Sequence, residues 1–341
     1  MVVPFFISHL GCPHRCVFCD QQKIAGASGV LPDPPSIEQK VAQYRASARG
    51  RALEVAFYGG TFTALPRADQ QHLLDALQPL LASGAVRSVR LSTRPDAVDS
   101  EIASFLKSMA VETVELGVQS MDGEVLRLSR RGHSAADVEA AVSSLKGAGL
   151  SVGIQLMPGL PGDSAERSLT TLNRILSLKP DFLRIYPALV IAGTELANLH
   201  QRGEFQPLSL DEGVSLCKEM LIAARRAGVP VIRLGLQPTA ELESPGVVQA
   251  GPYHPAFGQL VESELWYDIV CSLAADLPRG SRVELSVPPG RVSDVVGQKR
   301  RNLQRLAERF GVTVAAVKED AALGAEEVSI KRAPSSTCPS P

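Results

Sequence analysis

No apolar run in this 341-residue chain reaches the roughly 18–20 residues that a membrane-spanning helix needs. Nor does the segment 1–10 read as a secretory leader, since it is short, uncharged at its start and runs straight into a cysteine-rich loop. Neither charge sign is in excess: 35 Lys and Arg face 36 Asp and Glu for a net charge of −1, so global charge points to no partner. Six cysteines are present, but Cys217, Cys271 and Cys338 are scattered, with no second C-x2-C among them. These absences leave a cytoplasmic chain with no membrane partner as the expectation. The hydrophobic content of 45% and charge content of 21% are ordinary for a globular protein. The length suits one large domain, or one large and one small.

What is present is Gly11-Cys12-Pro13-His14-Arg15-Cys16-Val17-Phe18-Cys19-Asp20, with cysteines spaced C-x3-C-x2-C. Three thiols cannot all pair among themselves, and a reducing compartment keeps them free. Four cysteines would close a zinc site or an ordinary iron–sulfur cluster. Three in a tight loop can instead hold three irons of a 4Fe-4S cube and leave the fourth iron open to another ligand. Zinc, or a plain electron-transfer cluster, is the alternative reading of the same residues. An exposed cluster iron would also imply an oxygen-poor setting.

The cysteine loop follows an apolar run at 2–8, which reads as a strand buried in a parallel sheet. Further strands are expected at 53–58, 86–92, 113–120, 152–157 and 182–186, alternating with helices at 36–48, 69–83, 135–147 and 164–178. Such alternation implies parallel strands with right-handed crossovers, and it places chemistry at the carboxyl ends of the strands. About six strand–helix units fall short of the eight of a closed barrel. Gly59-Gly60 after the second strand allows close approach of backbone to a ligand, although an isolated pair also makes a plain turn. Arg94 and Asp96 after the third are either site residues or a local ion pair. Glu115, in an otherwise apolar strand, is costly unless paired. Ser134 is the expected N-cap of the helix that follows it.

With Phe18 just before its third cysteine, the loop resembles the signature of the radical S-adenosylmethionine (radical SAM) enzymes. Phe57-Tyr-Gly-Gly-Thr-Phe, Thr93-Arg-Pro-Asp, Val114-Glu-Leu-Gly-Val-Gln-Ser, Arg131-Gly-His, Met157-Pro-Gly-Leu-Pro-Gly and Ile185-Tyr-Pro-Ala-Leu-Val-Ile-x-Gly-Thr are similar to the radical SAM half of the Elongator catalytic subunit. That likeness covers about residues 1–200; the oxygen-independent coproporphyrinogen oxidases share the plan more weakly. The resemblance implies an α/β fold, an open partial (β/α)6 barrel of TIM type. It implies that Cys12, Cys16 and Cys19 hold a 4Fe-4S cluster whose free iron is chelated by S-adenosylmethionine. It further implies that a reductant such as flavodoxin or ferredoxin supplies an electron, and that a 5′-deoxyadenosyl radical takes hydrogen from a substrate. By the same resemblance Phe18 belongs to the cofactor site, and Tyr58, Gly59, Gly60 and Thr61 contact the methionyl end. Arg94, Gln119, Arg131 and Gln155 line the pocket, and Met157, Pro158 and Gly159 lie near adenine. Two departures stand out. Elongator subunits space their first two cluster cysteines more widely. They also carry an acetyltransferase domain, whereas about 145 residues remain from Leu196 here, with no Gly-rich acetyl-CoA loop. Acetyl-CoA chemistry is therefore not carried over, and the expectation is a stand-alone relative.

Residues 201–280 are expected to form an extension closing the barrel, with a strand at 230–237, a loop at 241–254, and Cys217 and Cys271 at apolar helix positions that suit core packing. Residues 281–320 read strand, helix, Gly297-Gln298-Lys299-Arg300, helix, strand. That pattern resembles a minimal KH unit, in which a GxxG loop clamps a nucleic-acid backbone. The second glycine is replaced by Arg300. Lys299, Arg300, Arg301 and Arg305 offer contacts for tRNA; a solvated amphipathic helix is the plainer reading. Residues 321–341 are expected to be a disordered tail. The function expected is thus a radical SAM enzyme acting on RNA. The alternatives are a small molecule or cofactor precursor as substrate, an RNA-binding protein with a vestigial barrel, and a zinc-stabilised binding protein.

Overall fold

A computed structural model of the protein describes residues 1–25 and 30–333; Cys338 and the end of the expected tail lie outside the described residues. Two compact units emerge, residues 1–213 with 219–255, and residues 214–218 with the described residues from 256 onward.

The first unit is built on a parallel sheet of seven strands. They are β1 (Val2–Phe6), β2 (Glu54–Tyr58), β3 (Ser88–Thr93), β4 (Val111–Gln119), β5 (Ser151–Leu156), β6 (Phe182–Ile185) and β8 (Val231–Leu234), hydrogen-bonded in that order. A separate pair, β7 (Val190–Ile191) and β9 (Val248–Ala250), runs antiparallel. The apolar alternates of the strands, among them Val55, Phe57, Val89, Leu91, Val114, Leu116, Ile154 and Leu183, are almost completely buried. Helices cross between successive strands, so one face of the sheet must be apolar. Ser134 caps the helix Ala135–Gly147 in a reciprocal capping box with Asp137.

Three elements depart from the sequence expectation. The strand expected in the extension at 230–237 is β8, and it joins the sheet as a seventh strand, so the barrel has one unit more than six. The helix expected over 69–83 is two helices, Arg67–Asp75 and Gln78–Ala82. Pro79 stands in the first turn of the second; it has no N–H to continue the helix and clashes with the preceding turn. The segment 241–254, expected as a loop, contributes β9.

The opposite face of the sheet is polar, and it explains Glu115. Glu115 is 5% exposed. It accepts hydrogen bonds from the Tyr58 hydroxyl (3.0 Å), Arg90 Nη1 (2.9 Å) and Arg184 Nη2 (3.1 Å). Arg184 Nε also lies 2.6 Å from Glu115 Oε2, off the line of a hydrogen bond. Arg90 continues to Glu54 through Nε at 2.9 Å. Arg184 reaches the hydroxyls of Tyr186 at 3.1 Å and Tyr58 at 3.3 Å. Residues of β2 and β6 are three strands apart between them, so these bonds cross the lumen of a curled sheet.

The second unit holds the helix Phe257–Ala274, β10 (Arg282–Val287), the helices Val292–Val296 and Arg301–Phe310, β11 (Thr313–Glu319) and β12 (Ser329–Arg332). β10 is central, parallel to β11 and antiparallel to β12. β12 falls within the stretch expected to be disordered. Its core contains Trp266, Val283, Leu285, Leu303 and Leu306, and the buried Asn302 amide donates to Ser263 O at 2.9 Å. Cys217 and Cys271 are buried core residues, as their apolar positions suggest.

Replacing Glu115 with Ala strands Arg90 and Arg184 with no central counter-charge. The variant is expected to lose about 3 kcal/mol of stability, read as a lower urea midpoint. An unchanged midpoint would show that the lumen network carries no stability.

Candidate functional site

The carboxyl end of β1 leads into the cysteine loop, and β2 holds that loop by its backbone. Ile7 N donates to Tyr58 O (2.8 Å), His9 N to Gly59 O (2.9 Å) and Thr61 N to Leu10 O (2.9 Å). A Cβ on Gly60 would lie 2.5 Å from both Ile7 O and Leu10 O, so only glycine lets the two segments close. The Gly60 N–H and C=O themselves have no partner among the described residues.

Cys12, Cys16 and Cys19 are free thiols, half-exposed at this end of the barrel. Cys12 Sγ lies 3.3 Å from Thr61 Oγ1, Arg131 Nη1 donates to Cys16 Sγ at 3.1 Å, and Gln21 Nε2 donates to Cys19 Sγ at 3.6 Å. The Cys19 thiol is pushed up to about 12, first by burial and then by the neighbouring Cys16 and, more weakly, Cys12. Burial and the neighbouring sulfurs thus hold the Cys19 thiol in its neutral form in the metal-free fold. Among the described residues, no group of three or more His, Cys, Asp or Glu is placed to hold a single metal ion. Three soft sulfur ligands with donors aimed at them fit an iron–sulfur cluster.

The remaining expected site residues fall into two groups. Phe18 is buried in one cluster with Val17, Leu160 and Phe205, against which Cys16, Cys19 and Met157 pack. Gln119, at a left-handed φ of 70°, accepts a hydrogen bond from Gln155 Nε2 at 3.2 Å, and its carbonyl takes Met157 N at 2.9 Å. Arg131 donates to Gly117 O as well as to Cys16, and its buried Nε has no partner. Pro158 O accepts from Ala188 N, and Gly159 N donates to Asp163 Oδ2 at 2.8 Å. Gly159 also lines a cavity of about 620 Å³ with Val17, Arg130, Leu160, Asp163 and Phe205. Burial raises the Asp163 carboxyl.

Two side chains do other work. Arg94 is buried and spent on a bidentate pair with Asp96 (2.9 and 2.8 Å) and on Arg131 O. It supports Arg131, which resolves the open choice in favour of a local ion pair. The Tyr58 phenol points into the lumen, where burial and Glu115 push its pKa up, so only its backbone serves the loop. Sequence reasoning did not single out Gln21, which directly follows the loop, or Gly117, where a Cβ would crowd Gln119 Nε2 at 3.0 Å. It also missed Arg184. A Cβ on Gly132 would meet the His14 ring at 2.3 Å, which accounts for the glycine in Arg131-Gly-His.

His133 is buried, with Nε2 3.2 Å from Val118 O and Nδ1 unpartnered. Burial, and then the charges of Arg131 and Arg94, push its pKa down to about 3. The imidazole is thus neutral in the fold while the unfolded chain titrates near 6.5. The sign follows: its contribution is intact above pH 6.5 and is lost as pH falls toward 3, at about 1.4 kcal/mol per pH unit. Denaturation midpoints measured between pH 7 and 4 should fall along that slope, and His133→Asn should flatten it. Parallel profiles for the two proteins would refute the assignment.

A family model described as the Radical SAM superfamily matches residues 6–175, and one for the Radical SAM C-terminal domain matches residues 180–267. The tRNA uridine(34) acetyltransferase of Methanocaldococcus infernus is 34% identical over 262 residues, covering 63% of this chain and 48% of that protein. Human Elongator complex protein 3 is 29% identical over 189 residues, covering 50% and 35%. The solved structure of archaeal Methanocaldococcus infernus Elp3, lacking residues 1–46 of its N-terminus, superposes with a TM-score of 0.62 at 26% identity. It covers 83% of this chain and 70% of that one. The chain spans about half the length of the archaeal acetyltransferases it matches.

Proposed function

We propose a specific activity for this chain, which belongs to the radical SAM superfamily: reductive cleavage of S-adenosylmethionine at a 4Fe-4S cluster, to act on an RNA substrate. The observation that carries it is the convergence of three free cysteine sulfurs at one end of the barrel, two of them receiving N–H donors from Arg131 and Gln21. Cys12, Cys16 and Cys19 would hold the cluster, and when bound it and S-adenosylmethionine supply a one-electron cleavage that yields methionine and a 5′-deoxyadenosyl radical. The chain's own part is to bind, orient and exclude water. Arg131 and Gln21 stabilise charge on the thiolates. The Gly60 peptide groups, without a backbone partner among the described residues, would receive the amino and carboxylate end of S-adenosylmethionine. Gln119 and Gln155 present amides at the ends of β4 and β5, and Phe18, Met157, Pro158 and Gly159 offer an apolar wall for adenine. A low-potential carrier such as flavodoxin or ferredoxin would supply the electron. The setting is the reducing cytoplasm, where thiols stay available to iron.

RNA is the substrate class because relatives over this region are named for tRNA chemistry. The second unit supports that reading by its strand–helix–loop–helix–strand order and its basic loop. Lys299, Arg300 and Arg301 are exposed there. Arg305 is not available to RNA: it forms a bidentate pair with Glu264 at 2.6 and 3.0 Å and stacks 3.6 Å over Tyr267.

Anaerobic reconstitution should give about four irons per chain, and dithionite with S-adenosylmethionine should give 5′-deoxyadenosine, abolished in Cys16→Ala. One zinc per chain, or a full cluster that never cleaves S-adenosylmethionine, would overturn the enzyme reading. Reversing Lys299, Arg300 and Arg301 to Glu should weaken binding of bulk tRNA and lower the salt slope by about 1 per lost phosphate contact. An unchanged slope would remove this loop from the RNA site.

A further inference from the structure

The lumen network is not neutral. Arg90, Arg184 and Arg233 project into it against two carboxylates, Glu54 and Glu115, leaving one positive charge in excess. Arg90 and Arg184 each have a counter-charge in Glu115. Arg233 is held only through Nη2 to the neutral amide oxygen of Gln237, at 2.7 Å. No carboxylate pairs with it among the described residues.

Its position sharpens the imbalance. Arg184 on β6 and Arg233 on β8 are direct register partners. Like charges facing one another on adjacent strands repel, and a partly buried site screens that repulsion less than open water does. Arg184 has the Tyr186 hydroxyl at 3.1 Å, and Tyr186 senses both guanidinium groups as they oppose burial in setting its acidity. β8 is the last strand of the sheet. The pair therefore stands on the open edge of the barrel, near the carboxyl ends of strands parallel to β1, which is the end that carries the cysteine loop. Both arginines are only half-buried, so the pair is open to a ligand.

We propose that Arg184, Arg233 and the Tyr186 hydroxyl form a receptor for an oxyanion carried by the substrate, a phosphate or a carboxylate. This rests on the reading that substrate enters this end of the barrel, and it deepens that reading by fixing the sign and chemistry of one substrate group. Arg233 spends only Nη2 on Gln237, so its other N–H donors, on the strand next to Arg184, remain for an oxyanion, which a guanidinium can grip bidentately. One bound anion would cancel the excess charge and remove the repulsion between the strands. The site also sets a polarity on the substrate: its anionic end lies at the β6–β8 edge, and the group to be attacked lies toward the cysteines.

The test is thermal unfolding of the reconstituted full chain, titrated with inorganic phosphate or with acetate at constant ionic strength. One of the two should raise the midpoint saturably, and which one does so identifies the oxyanion as phosphate or carboxylate. Arg233→Gln should weaken the saturating anion at least tenfold, and Arg233→Lys should restore part of the loss. Arg87→Gln, at an exposed position outside the lumen, should change nothing. The proposal is overturned if neither anion protects saturably, or if Arg233→Gln responds as Arg87→Gln does. The readout needs no cleavage of S-adenosylmethionine. Arg233-dependent protection in a protein that never forms 5′-deoxyadenosine would leave this site standing while the enzyme reading falls; cleavage without such protection would do the reverse.

Discussion

Glu115 is the charge on which the first unit turns. Its carboxylate collects donors from β2, β3 and β6, so residues far apart in strand order meet within hydrogen-bond distance. A flat parallel sheet cannot make those bonds; a curled one must. The curl in turn brings the carboxyl ends of β1 to β5 around one space, and those ends carry Cys12 to Cys19, Gly60, Gln119, Arg131 and Met157. The desolvation cost of burying such a network is high. What the fold gains for it is a polar lumen of defined shape below a reactive site.

The cysteine loop is steadied by a chain of contacts rather than by its own structure. Asp96 fixes Arg94, Arg94 fixes the Arg131 backbone, and Arg131 reaches Gly117 O and Cys16. On the other side the peptide groups of Tyr58, Gly59 and Thr61 clamp residues 7–10. Each glycine in these motifs has a steric reason: Gly60 passes between two carbonyl oxygens, and Gly132 lies under His14. The motifs are therefore spread along the sequence because each contributes one wall of a single small volume.

That dispersal decides what the sequence could reveal. Strands β1 to β6 are legible because continuous apolar runs separated by helical periodicity leave few alternatives. The three clustered cysteines are legible because no other use of three thiols at that spacing fits as well. β8 reads as a strand of an extension and not of the barrel because none of its four residues is buried and one is Arg233, unlike the inner strands. Glu115 is visible as a residue in need of a partner. Its partners, though, come from strands separated from it by up to 69 residues, and no local pattern encodes them. Arg94 reads equally as ligand contact or ion pair until Asp96 is seen two positions away in bidentate geometry.

The second unit shows the limit of counting charge. Five basic residues against one acidic between Gly297 and Phe310 give a local surplus of four in the sequence. In the fold Arg305 is consumed by Glu264, while Lys299, Arg300 and Arg301 stay exposed. The loop also holds Lys299 and Arg300 in left-handed conformation, at φ of 51° and 62°, where a side chain costs about 1–2 kcal/mol per residue. A glycine at position 300 would remove that cost there and one cation with it. Arg300, the residue that departs from the GxxG pattern, thus holds a backbone conformation that glycine adopts freely and adds a charge there. The charge of this loop is thus set by which cations the fold leaves unpaired with carboxylates, and its conformational cost by where the backbone turns left-handed.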